Sequence, residues 1–198
     1  MRHPRRIWLP HPCGPAILDE ALTSRTRRIP ISEGKSVSLR LIEAADLPRI
    51  APHLFTVSIT EPLTELPRLQ AVHAATGLWL EDSGAVAIVE NDGGRMVGTM
   101  QFYRSSPVIH GYELGYIVHD PADRGKGYAS EATRLLTGLL FDERPDCFRL
   151  QLIIETWNEA SWRIAERCGY TREALLRKAG FSTEDPEDCY LYARIRGG

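Results

Sequence analysis

The residues best suited to chemistry lie in one stretch, His119-Asp120-Pro121-Ala122-Asp123-Arg124-Gly125-Lys126-Gly127-Tyr128-Ala129-Ser130-Glu131-Ala132. Gly125 and Gly127 let the backbone approach a ligand with no Cβ in the way. Beyond them Ala132, Leu135, Leu136, Leu139 and Leu140 recur at helical spacing, which predicts a helix over 127–141. The first N–H groups of a helix have no internal partners and sit at its positive dipole end. A glycine turn feeding such an end is a site for phosphate oxygens, and Arg124 and Lys126 add positive charge. The Walker spacing G-x-x-x-x-G-K-[ST] does not occur, and the dinucleotide fingerprint fails because Ser130 stands at its third glycine. A plain strand-to-helix turn would share the Gly-x-Gly pattern, so the turn alone does not decide.

The elements that must hold this turn can be read on either side of it. Val37, Leu39 and Leu41 mark an opening strand, and Asp46 is placed to cap a helix running to about Leu54. Residues 62–80 read as helical. The segments 85–90 and 96–103 flank Asn91-Asp92-Gly93-Gly94 and predict a hairpin. Further strands are expected at 112–119, 149–155 and 189–195, the last as a single strand or a pair. A short helix at 159–168 brings Ser161, Ile164, Ala165 and Cys168 to one face and ends at Gly169. Hairpins followed by a strand–helix–strand unit predict an α/β (α+β) fold with a mixed, mostly antiparallel sheet flanked by helices.

With 198 residues, 43% hydrophobic and 25% charged, the chain is sized for one globular domain. A net charge of -2 gives no general drive toward nucleic acid or anionic membrane. No apolar run reaches a membrane span, and prolines at 4, 10, 12 and 15 interrupt the basic N-terminus, so a cytoplasmic location is expected. Cys13, Cys147, Cys168 and Cys189 are scattered, without Cys-x-x-Cys or zinc spacing, which predicts reduced thiols and no metal. No G-x-S-x-G nucleophile motif is present. Residues 1–35, rich in Pro and Arg with one short helix expected near 17–23, read as an extension ahead of a domain over 36–198; a mobile tail, a packing arm and a polyanion-binding arm are its alternatives.

Several motifs arrive in a recognisable order: Ser38-Leu39-Arg40-Leu41 with Asp46, then Tyr112-Glu113-Leu114-Gly115-Tyr116, then Arg124 through Ala132. Asn158-Glu159-Ala160-Ser161, Cys168-Gly169-Tyr170 and Tyr190 through Arg194 follow. In this order and spacing the chain resembles the GNAT N-acyltransferase superfamily, in particular its RimJ/RimL-like branch, over most of 36–198. The resemblance implies a splayed central strand pair, here Leu114–His119 and Leu152–Glu155, with acetyl-coenzyme A as co-substrate lying between. It implies cofactor contacts from Ile117, Val118 and His119 at the strand end, from Arg124, Gly125, Lys126, Gly127, Tyr128 and Ala129 in the turn, and from Asn158 and Ser161. Asn158 is also placed to cap the late helix.

The activity implied is transfer of an acyl group, foremost acetyl, to a primary amine by direct attack. Such attack needs a proton acceptor and a donor toward the leaving thiolate. Glu113 is the candidate base, with a solvent-facing or substrate-binding carboxylate as its alternatives. Ser161 is the candidate acid: many superfamily members carry a tyrosine where this chain has Ala165, and the RimJ/RimL-like branch instead has serine at the place of Ser161; a helix-start serine bonded to backbone is the alternative. Tyr116 and Tyr170 read as core aromatics. The acceptor side is expected near 50–80 and 177–188, with His53, Glu61, Glu65, Trp79 and the acidic Glu184, Asp185, Glu187 and Asp188 as candidates. The acceptor is a small-molecule or a peptide amine. Other readings are a succinyl-coenzyme A or aminoacyl-tRNA donor, and a binding module without turnover. Nucleic acid and membrane are disfavoured as partners, and a homodimer is common in the branch.

Overall fold

The computed structural model describes residues 31–53, 65–104, 106, 109–180, 182 and 184–198. The expected helix near 17–23, and the positions Cys13, Leu54, Glu61 and Pro62, lie outside them. Among the described residues, eight strands form one sheet in the order β1-β2-β3-β4-β5-β6-β8-β7. They are β1 (Ser32–Glu33), β2 (Val37–Leu41), β3 (Ser83–Glu90), β4 (Met96–Tyr103), β5 (Gly111–Val118), β6 (Arg149–Glu155), β7 (Thr171–Leu176) and β8 (Cys189–Ile195). Every neighbouring pair is antiparallel except β5 and β6. That exception follows from the chain: α3 (Tyr128–Glu143) carries it back across the sheet between β5 and β6, a crossover that parallel strands require.

Alternation along the strands builds two cores, one on each face. Val86 and Ile88 of β3 join Leu39, Met100, Leu136 and Leu140 beneath α3. Ala85 and Ala87, between them, join Leu47, Ile50 and Leu69 beneath α1 (Leu47–Ile50) and α2 (Leu66–Thr76). The β3–β4 register shifts at Ile88/Val89. This bulge sends Met96 to the α1–α2 face while Val97 stays under α3. On α3, Ala132, Leu136 and Leu140 are fully buried, as their spacing predicts. The last helix, α4 (Glu159–Arg167), packs beside α3, with the Cys168 thiol 3.3 Å from the Ser130 carbonyl.

Some local expectations change. Asp46 does stand at the N-cap of α1, which ends at Ile50, but its side chain makes no cap bond to that helix. It closes a capping box with Glu43, accepting the Glu43 N–H at 2.8 Å, and pairs with both terminal nitrogens of Arg40 at 2.6 and 3.0 Å. The pairing draws Asp46 to a strand side chain that local sequence reasoning does not include. The helix expected over 62–80 is α2, which ends at Thr76. The sheet begins at Ser32, because β1 pairs with β2, four residues ahead of Ser36. β7 had no period of its own to announce it: as an edge strand it leaves Thr171, Arg172, Glu173 and Leu175 exposed. Among the described residues no helix is long and apolar enough to cross a membrane, and Cys147, Cys168 and Cys189 are buried free thiols.

Candidate active site

β5 and β6 are paired only at Gly111–Arg149, Tyr112–Leu150 and Glu113–Gln151. From Leu114 onward β5 keeps its partner β4 but has no ladder partner on β6. The sheet opens there, and two cavities meet in the gap. An outer groove of about 640 Å³ runs along the turn before α3 and the side of α4. An inner chamber of about 250 Å³ lies between the splayed strands and reaches His53, Thr99 and Tyr103. Tyr116, Ile117, Asn158 and Ser161 line both.

The turn residues are held as the sequence predicts. Gly125 and Gly127 have φ of +77° and +87°, and a Cβ on either would meet nothing within 4 Å, so the glycines face open space. Gly127 is the N-cap of α3 with no side chain to bond the helix amides, which leaves them for a ligand. Arg124 lines the groove from this side, and Arg163 and Arg167 line it from α4. Glycine amides at a helix start and a rim of arginines suit a diphosphate, so the residues present fit the coenzyme A expected here.

Lys126 takes a different position from a phosphate-binding lysine. Its Nζ donates to Asp123 at 2.9 Å. Asp123 is buried and also accepts from Arg95 at 2.6 and 2.9 Å. Hydrogen bonds from Arg95 and then Lys126 hold the Asp123 carboxyl well below the usual carboxylate range. Arg95 further reaches Glu90 at 3.1 Å, and the Tyr128 hydroxyl donates to the same Glu90. This network ties the turn to the β3–β4 hairpin, so the turn amides are fixed before a ligand arrives. Arg95 and Asp123 escaped sequence reasoning, because their pairing spans 28 positions.

Of the strand-end candidates, Ile117 and Val118 line the groove, whereas His119 does not. Its ring stacks on His53 at 4.4 Å, and its Nε2 lies 3.2 Å from the Thr99 hydroxyl. Burial, then the neighbouring His53, lowers the His119 pKa to about 4. His53, an acceptor-side candidate, does reach the inner chamber. Trp79 does not: it packs edge-on against Phe102. Glu65 is the N-cap residue of α2. In the loop after β7, Lys178 pairs with Asp185 at 3.0 Å and its N–H bonds Asp188, which neutralises part of the acidic rim.

Glu113 is buried, not solvent-facing, and lies behind the chamber wall. Tyr103 donates to one of its oxygens and Gln151 to the other at 3.1 Å. Burial raises its pKa, against the opposing pull of those two hydrogen bonds. Neither cavity is lined by Glu113, but Tyr103 lines the chamber. The Asn158 side chain accepts the Ser161 N–H at 3.2 Å, so it caps α4 while facing both cavities. The Ser161 Oγ lies 2.6 Å from the Tyr116 hydroxyl. Tyr116 packs against the core, as read, and its hydroxyl end also lines both cavities. Tyr170 is a core residue, with its hydroxyl 2.7 Å from that of buried Thr137.

Comparison with known proteins accords with this geometry. Residues 36–171 match the family model described as the acetyltransferase (GNAT) domain, and the chain belongs to that family. It is 29% identical over 100 residues to the ribosomal-protein-serine acetyltransferase of Escherichia coli K12, an alignment covering 50% of this chain and 55% of that one. The chain thus spans about half the length of this curated relative. A GNAT-family acetyltransferase from Bacillus anthracis superposes with a TM-score of 0.66 at 21% identity, covering 83% of this chain and 97% of the other. A spermidine N-acetyltransferase from Vibrio cholerae gives 0.66 at 16% identity over 82% and 95%. AAC(6')-Ib in complex with ribostamycin and coenzyme A gives 0.62 at 20% identity over 82% and 94%. At these identities the structural likeness shows the fold alone.

Proposed function

We propose that the protein transfers an acetyl group from acetyl-coenzyme A to a primary amine. One observation carries the reading: a cationic groove at a helix start opens, between splayed strands, into a chamber lined by hydroxyls and imidazole. Acetyl-coenzyme A supplies a thioester carbonyl open to attack and a thiolate able to leave. The amides of 124–129 hold its diphosphate, Arg124 faces its charge, and Ile117, Val118 and Asn158 flank its arm. Backbone N–H groups of β5 beyond Glu113, free of β6, are placed to stabilise the carbonyl oxygen as charge develops on it.

Glu113 acts as base through Tyr103. The Tyr103 hydroxyl takes a proton from the attacking nitrogen while passing its own to Glu113. Burial suits Glu113 to this role, since a raised pKa makes it a better acceptor. Ser161, where the groove meets the chamber, is the group to assist the departing thiolate. The chamber, with Glu155 on its wall, suits a single cationic amine arm. The relatives named for ribosomal-protein serine and spermidine, and the one bound to ribostamycin, suggest the first acceptors to try.

The test measures thiol release from acetyl-coenzyme A with spermidine, ribostamycin and a serine-initiated peptide, beside calorimetry of acetyl-coenzyme A alone. Binding with amine-dependent release is expected. Absence of binding would refute the reading. Binding without release by any amine would favour a binding module.

A further inference from the structure

Tyr116 and Ser161 come from elements 45 residues apart, β5 and α4, and meet at 2.6 Å where the groove joins the chamber. Two hydroxyls carry two protons. One proton bridges the pair, which leaves the other hydrogen for whatever occupies the junction. The Tyr116 hydroxyl is also 3.4 Å from the Ser161 carbonyl, a much longer contact. Burial pushes the Tyr116 pKa up to about 12, so the phenol keeps its proton at working pH. A phenol is a stronger donor than an alcohol. Either hydroxyl can donate at this distance; with the phenol, the stronger acid, as donor to Ser161 Oγ, the serine proton is left for the cavity. Without the phenol, Ser161 would be free to turn back on its own helix backbone.

We propose that Tyr116 is a positioning residue that aims the Ser161 hydroxyl at the sulfur of a bound coenzyme A thioester and stabilises the departing thiolate through it. The inference rests on the acetyl-transfer reading above. As the carbon–nitrogen bond forms, the carbon–sulfur bond breaks and its electron pair goes to sulfur. Ser161 donates a charge-assisted hydrogen bond to that sulfur. No proton needs to cross: the thiolate collects one from water on release, and the nitrogen's proton leaves by way of Tyr103. The phenol comes from β5, which accounts for a working site on a helix that carries alanine at position 165.

The inference has a readout that needs no acceptor and no turnover. A donor aimed at the sulfur favours the thiolate, so the bound thiol pKa falls below its free value, about 8.5 for an ordinary thiol. Coenzyme A should then bind more tightly as pH rises toward that free value. Its desulfo analogue, with hydrogen in place of the thiol, should not. Tyr103, His53, Glu155, Cys168, Arg163 and Arg124 surround the junction; what they add to the rise is present in the parent and in variants of the hydroxyl pair alike, so the difference between parent and variant isolates that pair.

The experiment is calorimetry of both ligands from pH 6 to 10, on the parent, Tyr116→Phe and Ser161→Ala, each checked for folding by thermal unfolding. The parent's affinity ratio of coenzyme A to desulfo analogue should rise about tenfold, as one hydrogen bond to a charged group implies, and should stay within about twofold in both variants. A flat ratio in the parent, or an equal rise in Tyr116→Phe, would overturn the inference and leave acetyl transfer standing. Failure of the parent to bind either ligand would overturn both.

Discussion

Gly125 offers a direct measure of how the turn works, because two substitutions there separate backbone shape from charge. Its φ is +77° and nothing lies within 4 Å of a built Cβ, so alanine meets no neighbour and its cost is backbone strain alone. That strain is about 1 kcal/mol, which lowers the unfolding midpoint by about 2–4 °C for a chain of this size. Coenzyme A affinity in Gly125→Ala should stay within about threefold of the parent. Glutamate adds a negative charge at the same point. Against two phosphate charges roughly 5 Å away, water-like screening gives about 0.8 kcal/mol each, or about 1.7 kcal/mol together and nearly a twentyfold loss. Any exclusion of water enlarges it, and added salt should reduce it. Calorimetry at low and high salt, beside thermal unfolding, gives both numbers. Parent-like affinity in Gly125→Glu would refute the diphosphate assignment. An equal loss in Gly125→Ala would show that backbone shape, not charge, sets the affinity.

Asn158 has two separable duties. Asn158→Asp keeps an acceptor for the Ser161 N–H and should hold stability near the parent, while losing coenzyme A affinity if the amide N–H₂ donates to the cofactor arm. Asn158→Ala should lose about 1 kcal/mol as well, the usual worth of a cap, and thermal unfolding beside calorimetry would separate the two. For Glu113 the sign follows from its raised pKa: burial favours the protonated form, so its contribution to stability is full below the unfolded value and is lost as pH rises through the folded one. The stability of Glu113→Gln relative to the parent should accordingly increase from pH 4 to 8 in thermal unfolding. A difference that does not change with pH would mean that the carboxylate is not strained by burial.

Much of the site was legible from local order. The glycine turn, the helix after it and the strand before it are set by residues within about twenty positions, and the structure places them close to where periodicity put them. The hairpin and the late helix with its Asn158 cap are equally local. The readings that changed involve partners distant in sequence. Lys126 looked like a phosphate ligand until Asp123 and Arg95 were brought beside it. Tyr116 packs against the core as read, but only α4, by setting Ser161 against its hydroxyl, makes it a wall of both cavities. Glu113 lies on β5 as expected, yet only the packing of β4 and β6 shows that Tyr103 stands between it and the chamber.

The sequence by itself determined the glycine turn, the apolar faces that bury α3, and the family to which their order belongs, because periodicity, glycine placement and helix capping act between near neighbours. The tertiary structure decided which side chains face the cavity and which are held behind it. Hydrogen bonding and burial depend on groups that only the assembled sheet and its flanking helices bring within hydrogen-bond reach of one another.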